Sequence, residues 1–114
     1  MISGIQYEQG EIIIVPFPFT DLSTIKQRPV LILSNNYYNN STQDLITCGI
    51  TSNIQENNTL LINNEDLANG EIPLTSRIKV DKLFTLHKSI VKKKLGKINV
   101  ETFAKVKEEL FNLI

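Results

Sequence analysis

The hydrophobic residues of this chain fall into short clusters separated by polar turns, a pattern typical of a protein built mainly from strands. Ile12 to Val15 is a β-branched run that predicts a first strand, which Pro16 and Pro18 should stop. Val30 to Leu33 follows as a continuous apolar run that is bounded by Ser34. It predicts a second strand that is buried on both faces.

The loop between these strands carries candidate chemistry at its end. Thr20 to Gln27 predicts a polar loop, and Pro29, which cannot donate to a ladder, should begin the second strand. Arg28 would then lie at the mouth of the loop, where its N–H donors could bind phosphate or pair with a carboxylate for structure. Phe17 and Phe19 could stack on bases or plug the end of a small barrel.

Asp44 to Thr51 predicts a third strand in which alternate residues share a face. One face would carry the apolar residues Ile46, Cys48 and Ile50, and the other face Thr47, Gly49 and Thr51. Thr51 should point away from the core where the strand ends at Ser52 and Asn53. Three polar groups therefore meet at one strand terminus. Cys48 is most simply a small core residue.

The remaining pattern predicts two more strands and several helical turns. Residues 35–40 indicate a turn or one helical turn, in which Tyr37 and Tyr38 could serve an interface or be partly buried. Thr59 to Ile62 predicts a short fourth strand, and Asn64 could cap a one-turn helix that Gly70 ends.

Ser76 to Leu86 predicts the longest strand, and its alternation breaks at Lys82, which indicates a bulge. Asn99 is a plausible N-cap for the final helix. That helix should bury a stripe formed by Phe103, Val106, Leu110 and Leu113. Short strands with one C-terminal helix predict a single domain over residues 1–114, a small and strongly bent antiparallel barrel with helices packed on it.

Composition adds limits to this picture. The chain has 114 residues, enough for one domain, and its 12 acidic and 12 basic side chains cancel, so net charge predicts no partner. Its one cysteine excludes an intramolecular disulfide and suits a reducing cytosol. Without a membrane-spanning run or a signal-peptide pattern, a cytoplasmic protein that does not bind membranes is expected.

The available chemistry is cationic and hydroxylic. Metal ligands at recognisable spacing, CxxC, a histidine pair and a Gly-rich phosphate loop are all missing from the sequence, so no metal or cofactor is predicted. His87, the only histidine, could act as a base or be partly solvated near a strand end. Arg28 and Thr51 could bind a phosphodiester and stabilise charge that develops on it. Lys79 and Asp81 could join them, or form a weak ion pair on a solvated strand face.

Several ordered motifs resemble the MazF/PemK toxins. The resemblance is carried by Gly10 to Val15 with Pro18, Lys26 to Ser34, Ile50 to Asn53, Ser76 to Leu86, and Lys94 to Ile98. It covers nearly the whole chain, and its strength lies in the order of the motifs, because each one alone is weak.

The resemblance implies an SH3-like barrel, a homodimer, and an endoribonuclease that is the toxin of a toxin–antitoxin pair. It implies metal-independent, sequence-specific cleavage of single-stranded RNA by attack of a ribose 2′-OH on the adjacent phosphate. The family's catalytic arginine and threonine correspond to Arg28 and Thr51. The residues Lys26, Ser52, Asn53, Lys79 and Asp81 are then expected to bind the RNA.

The chain also departs from the family pattern. Some members use an Arg-x-Asp pair that here reads Lys79-Val80-Asp81, so a point charge replaces a bidentate fork. Many members carry a glutamate or histidine in the first loop, where this chain has Ser23-Thr24-Ile25.

Two alternatives remain open on the sequence. One is a toxin of the same fold that poisons DNA gyrase without catalysis, and the other is a non-catalytic nucleic-acid-binding SH3-like module. The basic stretch Lys92 to Lys94 could attract RNA and an acidic antitoxin near Arg28, or be only a solvated face.

Overall fold

One strongly curved antiparallel sheet dominates the computed structural model, which describes residues 4–18, 25–55 and 59–114. Within these residues the sheet has seven strands in the order β4-β6-β3-β2-β1-β7-β5. The strands are β1 (Glu11–Pro18), β2 (Ile25–Ile32), β3 (Asp44–Thr51), β4 (Leu60–Ile62), β5 (Leu67–Gly70), β6 (Ser76–His87) and β7 (Lys93–Ile98). The helices are α1 (Asn36–Ser41) and α2 (Val100–Leu113), with 3₁₀ turns at Asn64–Asp66 and Lys88–Ile90. The predicted fold class, a small SH3-like barrel with short helices and a C-terminal helix, is confirmed.

The sheet buries apolar side chains on both of its faces. The inner cluster is closed by Val106 of α2 and contains Ile12, Leu31, Cys48, Ile50, Ile62, Ile72, Ile78, Val80 and Ile98. The outer cluster contains Tyr7, Ile13, Val15, Val30, Ile32, Leu45 and Leu86. The two-sided burial predicted for Val30 to Leu33 is therefore correct for the residues that lie in β2, because alternate residues enter different clusters.

The predicted strand boundaries around the prolines are wrong. β1 continues through Pro16 to Pro18, and β2 begins at Ile25. Pro29 pairs with Ile14 in the middle of β2, and Arg28 lies within the strand opposite Val15. In an antiparallel pair of strands, hydrogen-bonded and non-hydrogen-bonded residue pairs alternate. Proline, which has no N–H, is tolerated within a strand at a non-hydrogen-bonded pair.

The loop predicted over Thr20 to Gln27 lies only partly within the described residues. Ile25 to Gln27 belong to β2, so that part of the prediction is wrong. Residues 20–24 and the side chains of Phe17 and Phe19 lie outside the described residues.

β3 has the predicted bounds and the predicted parity, but both of its faces are covered. Thr47 is fully buried on the face of Thr51, and its hydroxyl donates a 2.9 Å hydrogen bond to the Phe84 carbonyl. β6 bulges beside it, since Cys48 pairs with Leu83 whereas Gly49 pairs with Lys79. The bulge predicted near Lys82 is confirmed.

The segment before β6 was predicted as a helix ended by Gly70, and this is wrong beyond Asp66. Asn63, not Asn64, caps the 3₁₀ turn, and the chain then forms β5 against β7. Gly70 has a φ of +78° and packs closely on the β7 backbone. Pairing with β7 is a long-range contact that local helix signals do not report.

The terminal helix begins where predicted, since the Asn99 side chain accepts a hydrogen bond from the Thr102 N–H. Val106 is fully buried, and Phe103 and Leu110 are partly buried. Leu113 is 55% exposed, so the predicted stripe ends before it. In α1, Tyr38 is partly buried and Tyr37 is exposed. Neither described helix combines the length and apolarity needed to cross a membrane.

Gly96 provides a test of the β5–β7 contact. A Cβ at Gly96 would lie 2.4 Å from the Asn69 carbonyl oxygen, which is backbone and cannot rotate away. We expect Gly96→Ala to lower the free energy of unfolding by about 1–3 kcal/mol, as overpacking does. Gly4→Ala is the matched control, because a Cβ there meets nothing within 4 Å. Urea titration of both variants measures the difference, and equal midpoints would contradict the predicted clash.

Candidate active site

One face of the sheet is apolar at one end and polar at the other. Ile13 and Val30 pair with each other and belong to the outer cluster. Every second residue farther along the strands lies on the same face, and there the side chains are charged or carry hydroxyl groups. The charged and hydroxyl residues are Arg28 on β2, Thr51 on β3, and Arg77 and Lys79 on β6, and together with Gly49 on β3 they are named here the polar end.

Strand register brings the two predicted catalytic residues to this end. Val30 pairs with Gly49, and Gly49 pairs with Lys79 on its other side. Arg28 lies two residues before Val30 and Thr51 two residues after Gly49, so in antiparallel strands both lie on the same face beyond this row. Arg28 is half-buried, as is Thr51.

Gly49 lies at the centre of this arrangement. It has Val30 on one side and Lys79 on the other, and Thr51 is the next residue of β3 on that face. Gly49 adds no side chain between the arginine, the threonine and the lysine, and the Lys82 side chain packs beside it, since a Cβ at Gly49 would lie 3.6 Å from the Lys82 Cβ. A larger residue at this position would add a side chain between the three polar groups, so glycine keeps the distance between them free of one.

The Thr51 hydroxyl is oriented by the turn that follows it. Its Oγ1 accepts a 3.1 Å hydrogen bond from the Asn53 N–H. The Asn53 Oδ1 in turn accepts a 3.2 Å bond from the Gln55 N–H. Ser52 and Asn53 are exposed, so their remaining groups face solvent where a ligand would approach.

Arg77 is the residue that the sequence reasoning missed. It pairs with Thr51 across the ladder, and its guanidinium is committed to backbone carbonyls. Its Nε donates to the Ile54 oxygen and its Nη1 to the Thr59 oxygen, each at 2.9 Å. Its shared parity with Lys79 was the available signal, but sequence alone does not show which carbonyls a side chain will reach.

The other predicted binding residues lie at different distances from this centre. Lys26 is exposed on β2, on the same face as Arg28 by alternation. Lys79 joins the row of Gly49. Asp81 is exposed within the bulge of β6, so the ladder does not pair it with β3.

Cys48 lies on the opposite face from this polar end. Burial, together with the nearby charge of Asp81, raises the pKa of its thiol to about 12. The thiol is therefore protonated at neutral pH and belongs to the core, as predicted.

His87 is not brought to the polar end. It pairs with Asp44 at the other end of β6, and its Nδ1 accepts a hydrogen bond from the Ser89 N–H at 3.1 Å. An open groove of about 990 Å³ runs beside it and is lined partly by Tyr7, Gln43 and Lys88. A base at His87 would be separated from Arg28 and Thr51 by the length of β3.

Two of the three lysines in the basic stretch Lys92 to Lys94 lie in a strand. Lys93 and Lys94 begin β7, where they pair with Ile14 and Ile13. Lys94 Nζ lies 3.1 Å from a Glu11 carboxylate oxygen, 5.3 Å from the centre of the Tyr7 ring, and donates to the Gln6 carbonyl at 2.6 Å.

Lys97 forms a second link to the N-terminal segment. Its ammonium donates a 2.6 Å hydrogen bond to Glu8, and this bond and its charge lower the pKa of that carboxyl. The lysines at 94 and 97 therefore have internal acidic partners. Attraction of an acidic ligand would fall more on Lys92 and Lys93, which are exposed.

Lys94 allows a test of this distinction. We expect Lys94→Gln to lower the free energy of unfolding by about 0.5–1 kcal/mol, because Glu11 is only 13% exposed and loses its cation. Lys93→Gln, with the same change of charge on the adjacent residue, should leave stability almost unchanged. Thermal melts at low salt measure both, and a Lys93→Gln loss as large as that of Lys94→Gln would show that Lys94 has no special structural role.

Comparison with solved structures finds the same fold in several proteins of low sequence identity. A mycobacterial endoribonuclease in complex with its cognate antitoxin is 24% identical, with 94% of this chain and 91% of that chain covered and a TM-score of 0.72. MazF in a MazE–MazF complex from Deinococcus radiodurans is 19% identical, with 96% of each chain covered and a TM-score of 0.75. The Mycobacterium tuberculosis toxin MazF-mt6 is 18% identical, with 90% of this chain and 93% of that chain covered and a TM-score of 0.70. At these identities the likeness shows the fold.

Membership of a family is shown by a family model. No protein of curated function matches the chain. The model for the PemK-like, MazF-like toxin of type II toxin–antitoxin systems matches residues 8–114, which include every strand and helix described above. The resemblance read from the sequence motifs is confirmed, and the chain belongs to the PemK-like, MazF-like toxin family.

Proposed function

We propose that this protein is an endoribonuclease toxin that cleaves single-stranded RNA at specific sequences without a metal ion. The observation that carries the proposal is that Arg28 and Thr51 lie on one face of the sheet, on the two strands that pair at Val30 and Gly49. A cation and an oriented hydroxyl on one face of a sheet suit a phosphodiester. Family membership and the endoribonucleases among the structural neighbours support the same activity.

The proposed reaction is the one that the resemblance to the toxin family implies. The ribose 2′-hydroxyl loses its proton to solvent as its oxygen attacks the adjacent phosphorus, and the bond from phosphorus to the 5′-oxygen breaks. The departing 5′-oxygen takes up a proton from solvent, which leaves a cyclic phosphate and a 5′-hydroxyl. Negative charge grows on the non-bridging oxygens as the phosphorane forms. Arg28 stabilises this charge or donates to the departing 5′-oxygen, and the Thr51 hydroxyl orients the phosphate or the 2′-hydroxyl.

Binding of the RNA around the reacting phosphate is assigned to the neighbouring polar residues. Lys26 and Lys79 supply positive charge on the face of Arg28, and the exposed Ser52 and Asn53 offer hydrogen bonds at the end of β3. Asp81 is exposed in the bulge of β6 and would contact the RNA at a nucleotide next to the reacting phosphate. Bases in single strands are open to such contacts, which is how short RNA sequences are distinguished.

The protein is further proposed to act in the cytoplasm as a homodimer that a cognate acidic antitoxin inhibits. Two of the three structural neighbours described above were solved with an antitoxin, and family membership supports a toxin–antitoxin pair for this chain. Carboxylates of an extended antitoxin segment would stand in for RNA phosphates at the polar end. The alternatives, a gyrase poison and a non-catalytic binding module, have no such supporting observation.

The central test is incubation of the purified protein with a long RNA in EDTA, followed by mapping of the cut ends. The proposal expects cuts at a recurring short sequence that bear cyclic phosphate and 5′-hydroxyl ends. Intact RNA, or cleavage that requires an added metal ion, would contradict it.

Arg28→Ala tests the transition-state contact. Loss of one donor to a developing oxyanion costs about 2.7–4 kcal/mol, so single-turnover cleavage should fall by about 10²–10³-fold. Lys107→Ala is the control: it removes the charge of an exposed side chain on α2 and should cleave RNA like wild type. Cleavage by Arg28→Ala within about tenfold of wild type would rule out this role for Arg28.

Thr51 is tested with a matched pair of substitutions. Thr51→Ser keeps the hydroxyl and should retain most of the cleavage rate. Thr51→Val keeps the shape of the side chain but removes the hydroxyl, and it should lose most of the cleavage rate. The Asn53 N–H is exposed and can bond water instead, so Thr51→Val should cost at most about 1 kcal/mol of stability. Lost stability with intact cleavage would instead make Thr51 a structural residue.

A further inference from the structure

We propose that Arg77 is a positioning residue, which ties the turn after β3 to β6 and thereby holds the Thr51 hydroxyl in its working orientation. The inference rests on the proposed ribonuclease function and adds to it a residue that need not touch the RNA. It is carried by three hydrogen bonds between the Arg77 guanidinium and the Thr51 side chain, which are linked through the backbone of residues 53–55.

The first part of this set is the arginine fork. Nε bonds the Ile54 carbonyl and Nη1 bonds the Thr59 carbonyl, each at 2.9 Å, so one planar group joins the turn after β3 to the residue before β4. A guanidinium holds two acceptors at a fixed separation and direction. A lysine ammonium on a flexible chain has no such fork.

The second part lies within the turn. Ile54, whose carbonyl Arg77 holds, is flanked by Asn53 and Gln55, and these two residues are joined by the Gln55 N–H to Asn53 Oδ1 bond. The Asn53 N–H then donates to Thr51 Oγ1. Because this donor occupies one lone pair of the hydroxyl, it limits the directions in which the O–H can point.

The ladder closes the arrangement from the other side. Arg77 pairs with Thr51 on β3 and with Leu61 on β4, so its backbone is fixed between two strands. The side chain is half-buried, which strengthens its bonds relative to those of a fully solvated arginine. Arg77 therefore connects β3, β4 and β6 at the point where Thr51 ends its strand.

The test compares Arg77→Lys and Arg77→Ala with wild type and with the Lys107→Ala control. A positioning role predicts that both Arg77 variants lose kcat by about 10- to 100-fold, because displacement of a reacting group by about 1 Å costs up to about 100-fold. KM and the salt dependence of RNA binding should hardly change. Amide hydrogen exchange at Asn53 and Gln55 should become faster in both variants, which a readout of activity alone would not reveal.

Other outcomes overturn the proposal. If Arg77→Lys matches wild type while Arg77→Ala raises KM and reduces the salt slope by about one, Arg77 binds a phosphate directly. If only the melting temperature falls, with kcat unchanged in folded protein, the role is structural. Unchanged amide hydrogen exchange at Asn53 and Gln55 would show that Arg77 does not hold the turn after β3 in place.

Failure of this inference is separable from failure of the proposed function. Wild-type protein that cuts RNA, together with Arg77 variants that cut equally well, defeats only the positioning role. Wild-type protein that cuts no RNA defeats the ribonuclease function and the positioning role with it, whatever the exchange rates show.

Discussion

The bulge in β6 is the constraint on which this structure depends. Between its pairs with Gly49 and Cys48, β6 passes from Lys79 to Leu83, while β3 advances by one residue. β6 therefore has three extra residues between Lys79 and Leu83. Because side chains alternate between the two faces of a strand, an odd number of extra residues reverses which residues of β6 point to the inner face and which to the outer face. Ile78 before the bulge and Val80 at its start enter the inner cluster, and Leu86 after it enters the outer cluster.

This exchange allows one long strand to serve two cores and also creates the polar end. After the bulge, the outer face of β6 carries Phe84 and Leu86, which pack with the outer cluster. Before the bulge, the same face carries Arg77 and Lys79. The charged residues thus lie beyond the edge of the outer cluster, where they need no internal burial. A rigid, doubly packed sheet holds the side chains around Gly49, and rigid support is what a positioned catalytic group requires.

Several positively charged side chains of the protein form contacts within the chain. Lys94 and Lys97 fasten β7 to the N-terminal segment through Glu11 and Glu8. Arg77 spends its donors on backbone carbonyls at the end of β3. A cation's contribution to ligand binding therefore cannot be judged by its position in a basic run, because the internal partners decide how much of its charge and hydrogen-bonding capacity remains for a ligand.

The sequence by itself determined the features that depend on neighbouring residues. β3 and its alternation, the Asn99 cap of α2, the bulge near Lys82 and the family motifs follow from local patterns of a few residues. The grouping of Arg28 with Thr51 came from those motifs, and the strand register places the two residues on one face.

Tertiary structure alone decided the features that depend on pairing between distant segments. Pro29 lies inside β2 because β1 supplies a partner, and residues 67–70 form a strand because β7 lies beside them. The Arg77 fork and the Lys94 ion pair likewise join residues far apart in the chain. Local propensity carries no information on such partners, since the energy of a strand pair or a side-chain bond exists only after the chain has closed on itself.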